Sequence, residues 1–411
     1  MSLPLHRPRP DDHDPARAAT PTPTPVAERS VAPDLARGMM LLLIALAHVP
    51  WFLWNSELGS TLMHPAEGGT ADRVAQAVTI VFVDGRAWTL FGLLFAYGIG
   101  QLYARRSAAG STDAEIRRLL RTRHWWLLAF GLVHAVLLWQ GDILGTYGLL
   151  GLLLVPLFLQ RSDRVLKVWI GLLLGVAALV NIGLAVLGQL VPAGVGAMAP
   201  QQQAAAETGY LASALLRLVL WLPSPISSLV GLVMPAAFLI GILAARHRIL
   251  DEPGRHLPLL RRTAVIGLAL GWGLGSVQAL LHLGVLSVPN PSAVVSFHLL
   301  TGIFAGVGVA ALFGLIAHRV GTRRPLPVRA LVALGRRSLS GYLAQSLIFV
   351  PLLSAWGLGL GAHLTSATAM LVGIGVWLLT VVVAYRLDVA GVRGPAEVLL
   401  RRLTYGGRRT T

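Results

Sequence analysis

The fold class this sequence predicts is an all-α, polytopic integral membrane protein of about ten transmembrane helices with both termini cytoplasmic. Three observations predict it. The 411 residues are 55% hydrophobic and only 13% charged, against about 25% charged in a soluble protein. Apolar runs of the length a bilayer-spanning helix needs recur along the whole chain. The basic residues are confined to alternate connections, as in a chain threaded back and forth through a membrane.

Residues 1–29 are rich in Pro, Arg, Asp and Thr, with Pro21-Thr-Pro-Thr-Pro25, and read as a disordered cytoplasmic tail. They hold no apolar core of the kind a cleavable leader carries, so the first helix is expected to anchor the chain. Ten apolar segments follow at about 35–54, 77–103, 124–140, 143–160, 165–190, 211–245, 263–287, 294–318, 338–356 and 366–386. They form a helical domain over 30–390, and 391–411 reads as a basic cytoplasmic tail. The sixth segment is too long for one crossing. Pro223-Ser-Pro225 is expected to divide an interfacial helix from a span near 226–245.

Orientation follows from charge. Let the N-terminal tail, the connections 104–123, 161–167, 246–262 and 319–337, and the end from Arg386 share one side. That side then holds all but four of the 34 Lys and Arg, the exceptions being Arg37, Arg73, Arg86 and Arg217. The opposite connections contain only Arg73. The positive-inside rule makes both termini cytoplasmic. The formal charge of +16 is balanced by anionic lipid headgroups, and no nucleic-acid partner is needed to explain it. The absence of cysteine excludes disulfides, thiolate metal sites and cysteine nucleophiles. No cluster has metal-ligand spacing, so no metal is expected, and there is no Gly-x-Ser-x-Gly elbow or internal repeat. The glycines of 267–275 and 302–308 read as close helix contacts rather than phosphate loops, since no Walker-type Lys follows.

Ionisable residues inside apolar runs carry the functional signal. Arg37 and His48 are eleven residues apart in the first segment. At about 100° per residue the two share one helix face, and at about 1.5 Å per residue they lie about 16 Å apart along the axis. That puts a cation at the cytoplasmic face and an imidazole near the midplane. Asp34, three residues before Arg37, is either a helix-start partner for it or part of the same site. Asp84 and Arg86 fall inside the second run, two apart, where a regular helix points them in different directions. Gly85 between them is a candidate helix break. They read either as a buried ion pair with other helices or as an acceptor-binding or proton-handling group.

The third and fourth segments meet in His134-Ala-Val-Leu-Leu-Trp139-Gln-Gly-Asp142-Ile-Leu-Gly-Thr-Tyr147-Gly148. So short a connection demands an antiparallel hairpin, with His134 about 9 Å below the external turn. Asp142 either caps the next helix or offers a carboxylate to a hydroxyl-bearing acceptor. His282 and His298 read as structural. Ser338, Ser340, Tyr342, Gln345 and Ser346 form a polar stripe read mainly as interhelical hydrogen bonding.

These motifs resemble the YeiB-like family of bacterial polytopic membrane proteins, a family of unknown function. The resemblance rests on Asp34-Leu-Ala-Arg-Gly38, Leu90-Phe-Gly-Leu-Leu-Phe-Ala-Tyr-Gly98, the His134 to Gly148 hairpin, Gly335-Arg-Arg-Ser-Leu-Ser-Gly-Tyr-Leu-Ala-Gln-Ser346 and the end Gly394-Pro-Ala-Glu-Val-Leu-Leu-Arg-Arg-Leu-Thr-Tyr405. That family is similar in turn to the transmembrane acyltransferases, among them the acyltransferase-three enzymes, whose first span carries Arg, ten residues, then His. Arg37 and His48 match that spacing.

The resemblance implies an inner-membrane enzyme of a bacterium. It would take an acyl group, such as acetyl, from cytoplasmic acyl-CoA as donor substrate to a glycan, lipid or small-molecule acceptor of the cell envelope. His48 and His134 would be catalytic, and Arg37 and Asp34 would bind the donor. Asp84, Arg86, Asp142, Trp139 and Tyr147 would lie on the acceptor's side. The rival expectation is a transporter or channel-like protein that uses the same Arg, Asp and His residues as an ion or proton path.

Overall fold

Helices account for nearly all regular structure in the computed structural model, which describes residues 31–191 and 200–406. Among those residues there are sixteen α-helices and no strand. They are α1 Val31–His48, α2 Thr70–Phe82, α3 Arg86–Ala108, α4 Asp113–Leu137, α5 Leu144–Phe158, α6 Asp163–Gly188, α7 Pro200–Ala206 and α8 Tyr210–Trp221. Then come α9 Ser224–Val230, α10 Val233–Arg246, α11 Leu257–His282, α12 Val295–Val320, α13 Leu326–Arg336, α14 Ser338–Leu353, α15 Ser366–Val389 and α16 Pro395–Tyr405. The tail expected over 1–29 lies outside the described residues, as do 407–411 at the other end.

Among the described residues seven stretches are long and apolar enough to cross a membrane, and α5, α10 and α14 are apolar but shorter. The seven are Val31–Phe52, Thr70–Ala108, Asp163–Gly188, Tyr210–Val230, Pro253–His282, Pro291–Val320 and Ser366–Val389. The third predicted segment, which lies in α4, is not among them. Its helix starts at Asp113 rather than near residue 124, and carries Arg117, Arg118, Arg121 and Arg123 in its first half. The earlier start has a local cause. The Thr112 side chain accepts from the Glu115 amide while Glu115 accepts from the Thr112 amide at 2.8 Å, a reciprocal capping box.

Two breaks shape the middle of the chain. Gly85 takes φ +74°, a left-handed conformation open to glycine at no steric cost, and separates α2 from α3 inside one apolar run. The run over 211–245 divides at Leu222-Pro223, as the prolines predict, and again at Gly231-Leu232. The stretches read as a connection over 319–337 and as a basic end contain α13 and α16. The α16 helix is docked because Glu397 accepts the Leu339 amide at 2.8 Å and the Ser340 amide at 3.2 Å, which satisfies free N–H groups at the start of α14.

α1 is the central helix, packed against α3, α12, α13, α14 and α15, with Ala36, Met40, Leu41 and Ala45 fully buried. α6 is its opposite. It buries only Leu166 and Ala177 and turns Leu179, Val186 and Leu187 outward. The polar distribution is inverted to match, since Asp84, Arg86, His124, His134, Asp142 and Arg217 are all buried. α11 and α12 meet through Gly267 against Phe304 and Gly308, and Gly271 against Ala305. These are the close small-residue contacts the glycine spacing predicts.

Candidate functional site

The hairpin of α4 and α5 builds the first half of the site. Gly131 on α4 lies so close to the start of α5 that an added side-chain carbon would collide with Gly145 N and Asp142 Oδ1. This approach brings His134 and Asp142 together: His134 Nδ1 donates to Asp142 Oδ2 over 2.8 Å, with both side chains buried. Asp142 Oδ1 accepts the Gly145 amide, also at 2.8 Å. One oxygen of Asp142 therefore caps the first turn of α5, as the first of its two sequence readings expects, and the other orients an imidazole. A carboxylate on Nδ1 leaves the lone pair on Nε2, and His134 Nε2 is buried without a hydrogen-bond partner.

Tyr342 from α14 joins this dyad to His48. Its ring centroid lies 5.1 Å from that of His134 and 6.2 Å from that of His48. Its hydroxyl accepts the Ile143 amide at 3.3 Å. His48, at the end of α1, is half-buried and tilts against Trp139 at 5.6 Å. Trp139 packs in turn on Phe52 at 4.7 Å, and its indole N–H is buried without a partner. Tyr147 turns away from this group. It donates to Trp88 O at 2.8 Å and stacks on Phe91 and Phe95. Its hydroxyl is thereby engaged with α3, on the face of α5 that packs against that helix.

Arg217, isolated among the basic residues in sequence, has a clear role. Its guanidinium donates to Val136 O at 3.1 and 2.9 Å and to the Ser213 hydroxyl, so it satisfies a carbonyl in the last turn of α4. It thereby fixes the end of the helix that carries His134.

At the other end of α1, Arg37 donates to Asp34 at 3.1 Å and to Leu94 O at 3.0 Å. Arg336 faces the second oxygen of Asp34 at 3.6 Å. Asp34 is thus shared between two cations, and Arg37 has hydrogen-bonding groups already engaged with α1 and α3.

Asp84 and Arg86 do not join His134. They belong to a second buried cluster with His64, His282 and His298. His64 Nε2 lies 2.7 Å from Asp84 Oδ2. Arg86 donates to the Asp84 carbonyl, to Gly271 O at 2.6 Å and to His298 Nε2 at 2.9 Å. The two neighbours in sequence do not pair through the carboxylate because Gly85 redirects the chain between them. His64, the residue that does meet Asp84, sits in a connection and carries no periodic signal. His282 lies 5.9 Å from the His64 ring.

Residues 244–407 match a family described as protein of unknown function (DUF418). The chain is 26% identical to the uncharacterized protein YxaH of Bacillus subtilis over 92% of its own length and 94% of that protein's. It is 34% identical to the uncharacterized protein YeiB of Escherichia coli over 31% of this chain and 30% of that one. These similarities support the YeiB-like grouping. Tyr342 lies in the family-matched region, whereas Arg37, His48, His134 and Asp142 lie outside it.

Proposed function

We propose that this protein is a membrane-embedded acyltransferase that moves an acyl group from cytoplasmic acyl-CoA to an envelope acceptor bearing a hydroxyl or amine. The observation that carries the reading is the His134–Asp142 pair with its unpaired Nε2, facing Tyr342 and His48. Asp142 holds Nδ1–H and so leaves the Nε2 lone pair free to accept a proton. His134 takes the acceptor proton as the acceptor oxygen or nitrogen attacks the thioester carbonyl. The carbonyl carbon forms its new bond, the C–S bond breaks, and the departing thiolate takes the proton from His134. His48 donates a hydrogen bond to the carbonyl oxygen as charge develops there. A positioned base of this kind contributes about 10²–10⁴-fold.

The membrane setting is part of the same proposal. The exposed leucines and valines of α6 beside buried Arg, Asp and His elsewhere are the inverse of a water-soluble surface. The charge asymmetry of the connections supports cytoplasmic termini and an inner-membrane location. The test is release of free thiol from acetyl-CoA by protein reconstituted in nanodiscs.

A second reading, a proton-linked transporter, draws on the His64–Asp84–Arg86–His298 cluster, a buried ionisable chain of the kind found along proton paths. It predicts proton flux that depends on Asp84 and not on His134.

A further inference from the structure

Arg37 and His48 are not the only such pair. On α4, Arg123 and His134 are also separated by ten residues, and α4 runs in the same sense as α1. Eleven steps of about 100° leave each pair on one face of its helix, about 16 Å apart along the axis. The two pairs are in register across the structure. Arg123 faces Arg37 at one end, together with Arg105, Glu397 and Tyr405. His134 faces His48 at the other end, across Tyr342.

The two arginines differ in how they are used. Arg37 is held by Asp34 and the Leu94 carbonyl. Arg123 is half-buried and forms no hydrogen bond or close ion pair among the described residues. Its surroundings hold the guanidinium groups of Arg37 and Arg105, and the nearby carboxylate of Glu397 is already engaged with the Leu339 and Ser340 amides. An arginine with its fork free selects a phosphate oxyanion.

We propose that Arg123 is the principal phosphate-binding residue of the donor site, and that the paired Arg-to-His ladders of α1 and α4 measure the donor's length. This rests on the acyl-transfer reading. The phosphate end of the donor lies at Arg123, with Arg37 and Arg105 beside it, and its thioester lies between His48 and His134. The spacing fits the arm of a coenzyme A thioester. Between its phosphate and sulfur that arm has the backbone length of four to five extended residues, about 15 Å. A membrane phospholipid presents the same phosphate chemistry without such an arm, and the experiment separates the two sources.

Coenzyme A binding is measured by titration calorimetry on the full chain in nanodiscs, for wild type, Arg123→Gln and Arg123→Lys, in zwitterionic and in anionic lipid. Arg123→Gln is expected to weaken binding about tenfold or more. Arg123→Lys should keep part of the affinity, and lipid charge should change little. In turnover, Arg123→Gln should raise KM for acetyl-CoA while leaving unchanged the cleavage of S-acetyl-N-acetylcysteamine, a thioester without phosphate.

Unchanged coenzyme A affinity in Arg123→Gln overturns the inference. So does Arg123-dependent retention of anionic lipid without coenzyme A binding, which assigns the site to headgroups. Equal loss of activity on both thioesters reduces Arg123 to a structural role and also overturns it. Arg123-dependent coenzyme A binding without any acyl transfer supports the donor site while removing the catalytic reading.

Discussion

His134 and Asp142, eight residues apart in sequence, form a buried hydrogen bond of 2.8 Å between Nδ1 and Oδ2. The bond exists because the α4–α5 turn is too short for the two side chains to separate, and because Gly131 lets the second helix approach the first. One carboxylate serves both as helix cap and as imidazole holder. Structure and proposed chemistry are thus coupled at one residue, and several expectations follow from how that coupling is built.

Gly131→Ala should disrupt the pair without touching either member. The added methyl meets Gly145 N and Asp142 Oδ1, both on or near backbone that cannot swing away. Overpacking of this kind costs about 1–3 kcal/mol. A lowered thermal midpoint together with reduced thioester cleavage is expected. An unchanged midpoint would show that the hairpin has room the geometry denies.

Arg217→Met should loosen the end of α4. It keeps much of the side-chain volume but leaves Val136 O without the donors it now has at 3.1 and 2.9 Å. An unsatisfied buried carbonyl costs about 1–3 kcal/mol. Faster hydrogen exchange confined to the last turn of α4 and the 138–143 connection is the expected readout, with a smaller fall in activity than Gly131→Ala causes.

Asp84→Asn separates the two readings of function. The His64 contact at 2.7 Å loses its charge, and the buried Arg86 loses its nearest carboxylate. Breaking a buried charge arrangement costs about 3–5 kcal/mol. On the acyl-transfer account the protein is destabilised, while kcat of the fraction that remains folded stays near wild type. Loss of a proton flux in Asp84→Asn, with flux retained in His134→Gln, would favour the transporter instead.

The start of α4 should respond to acid. Glu115 is held below the ordinary glutamate value of 4.5 by the Thr112 amide and then by the Thr112 hydroxyl. A depressed carboxylate contributes stability that is complete above its unfolded value and is lost as pH falls through its folded value. Amides 113–117 should therefore exchange faster, beyond the intrinsic rate, as pH falls below the ordinary glutamate value and through the depressed one. Glu115→Gln should abolish that dependence.

How much of this was legible in the sequence depends on how local each cause is. The break at Gly85, the division at Pro223 and the 134–148 hairpin are written in residues that act on their own neighbours, and each was predicted. The start of α4 is equally local, in Thr112-Asp-Ala-Glu115, but the apolar run that marks the helix begins only near residue 124. The α13 and α16 helices were missed because their apolar faces are narrow and their charges read as loop and tail. His64 could not have been found, since its partner Asp84 is reached only once the 53–69 connection folds back. Tyr342 was visible as part of a polar stripe, but nothing in that stripe says that its ring lies between two histidines. Arg123 had the same spacing to His134 as Arg37 has to His48, and was hidden by standing among the other arginines at the start of α4.

The most direct test of the central claim is single-turnover thiol release from acetyl-CoA by protein in nanodiscs, comparing wild type with Asp142→Asn and His134→Gln. The account predicts measurable release by wild type. It predicts a fall of about 10²-fold or more in the chemical step for each variant, with coenzyme A affinity retained. Release at the wild-type rate by both variants, or no release by wild type that binds coenzyme A, would contradict it.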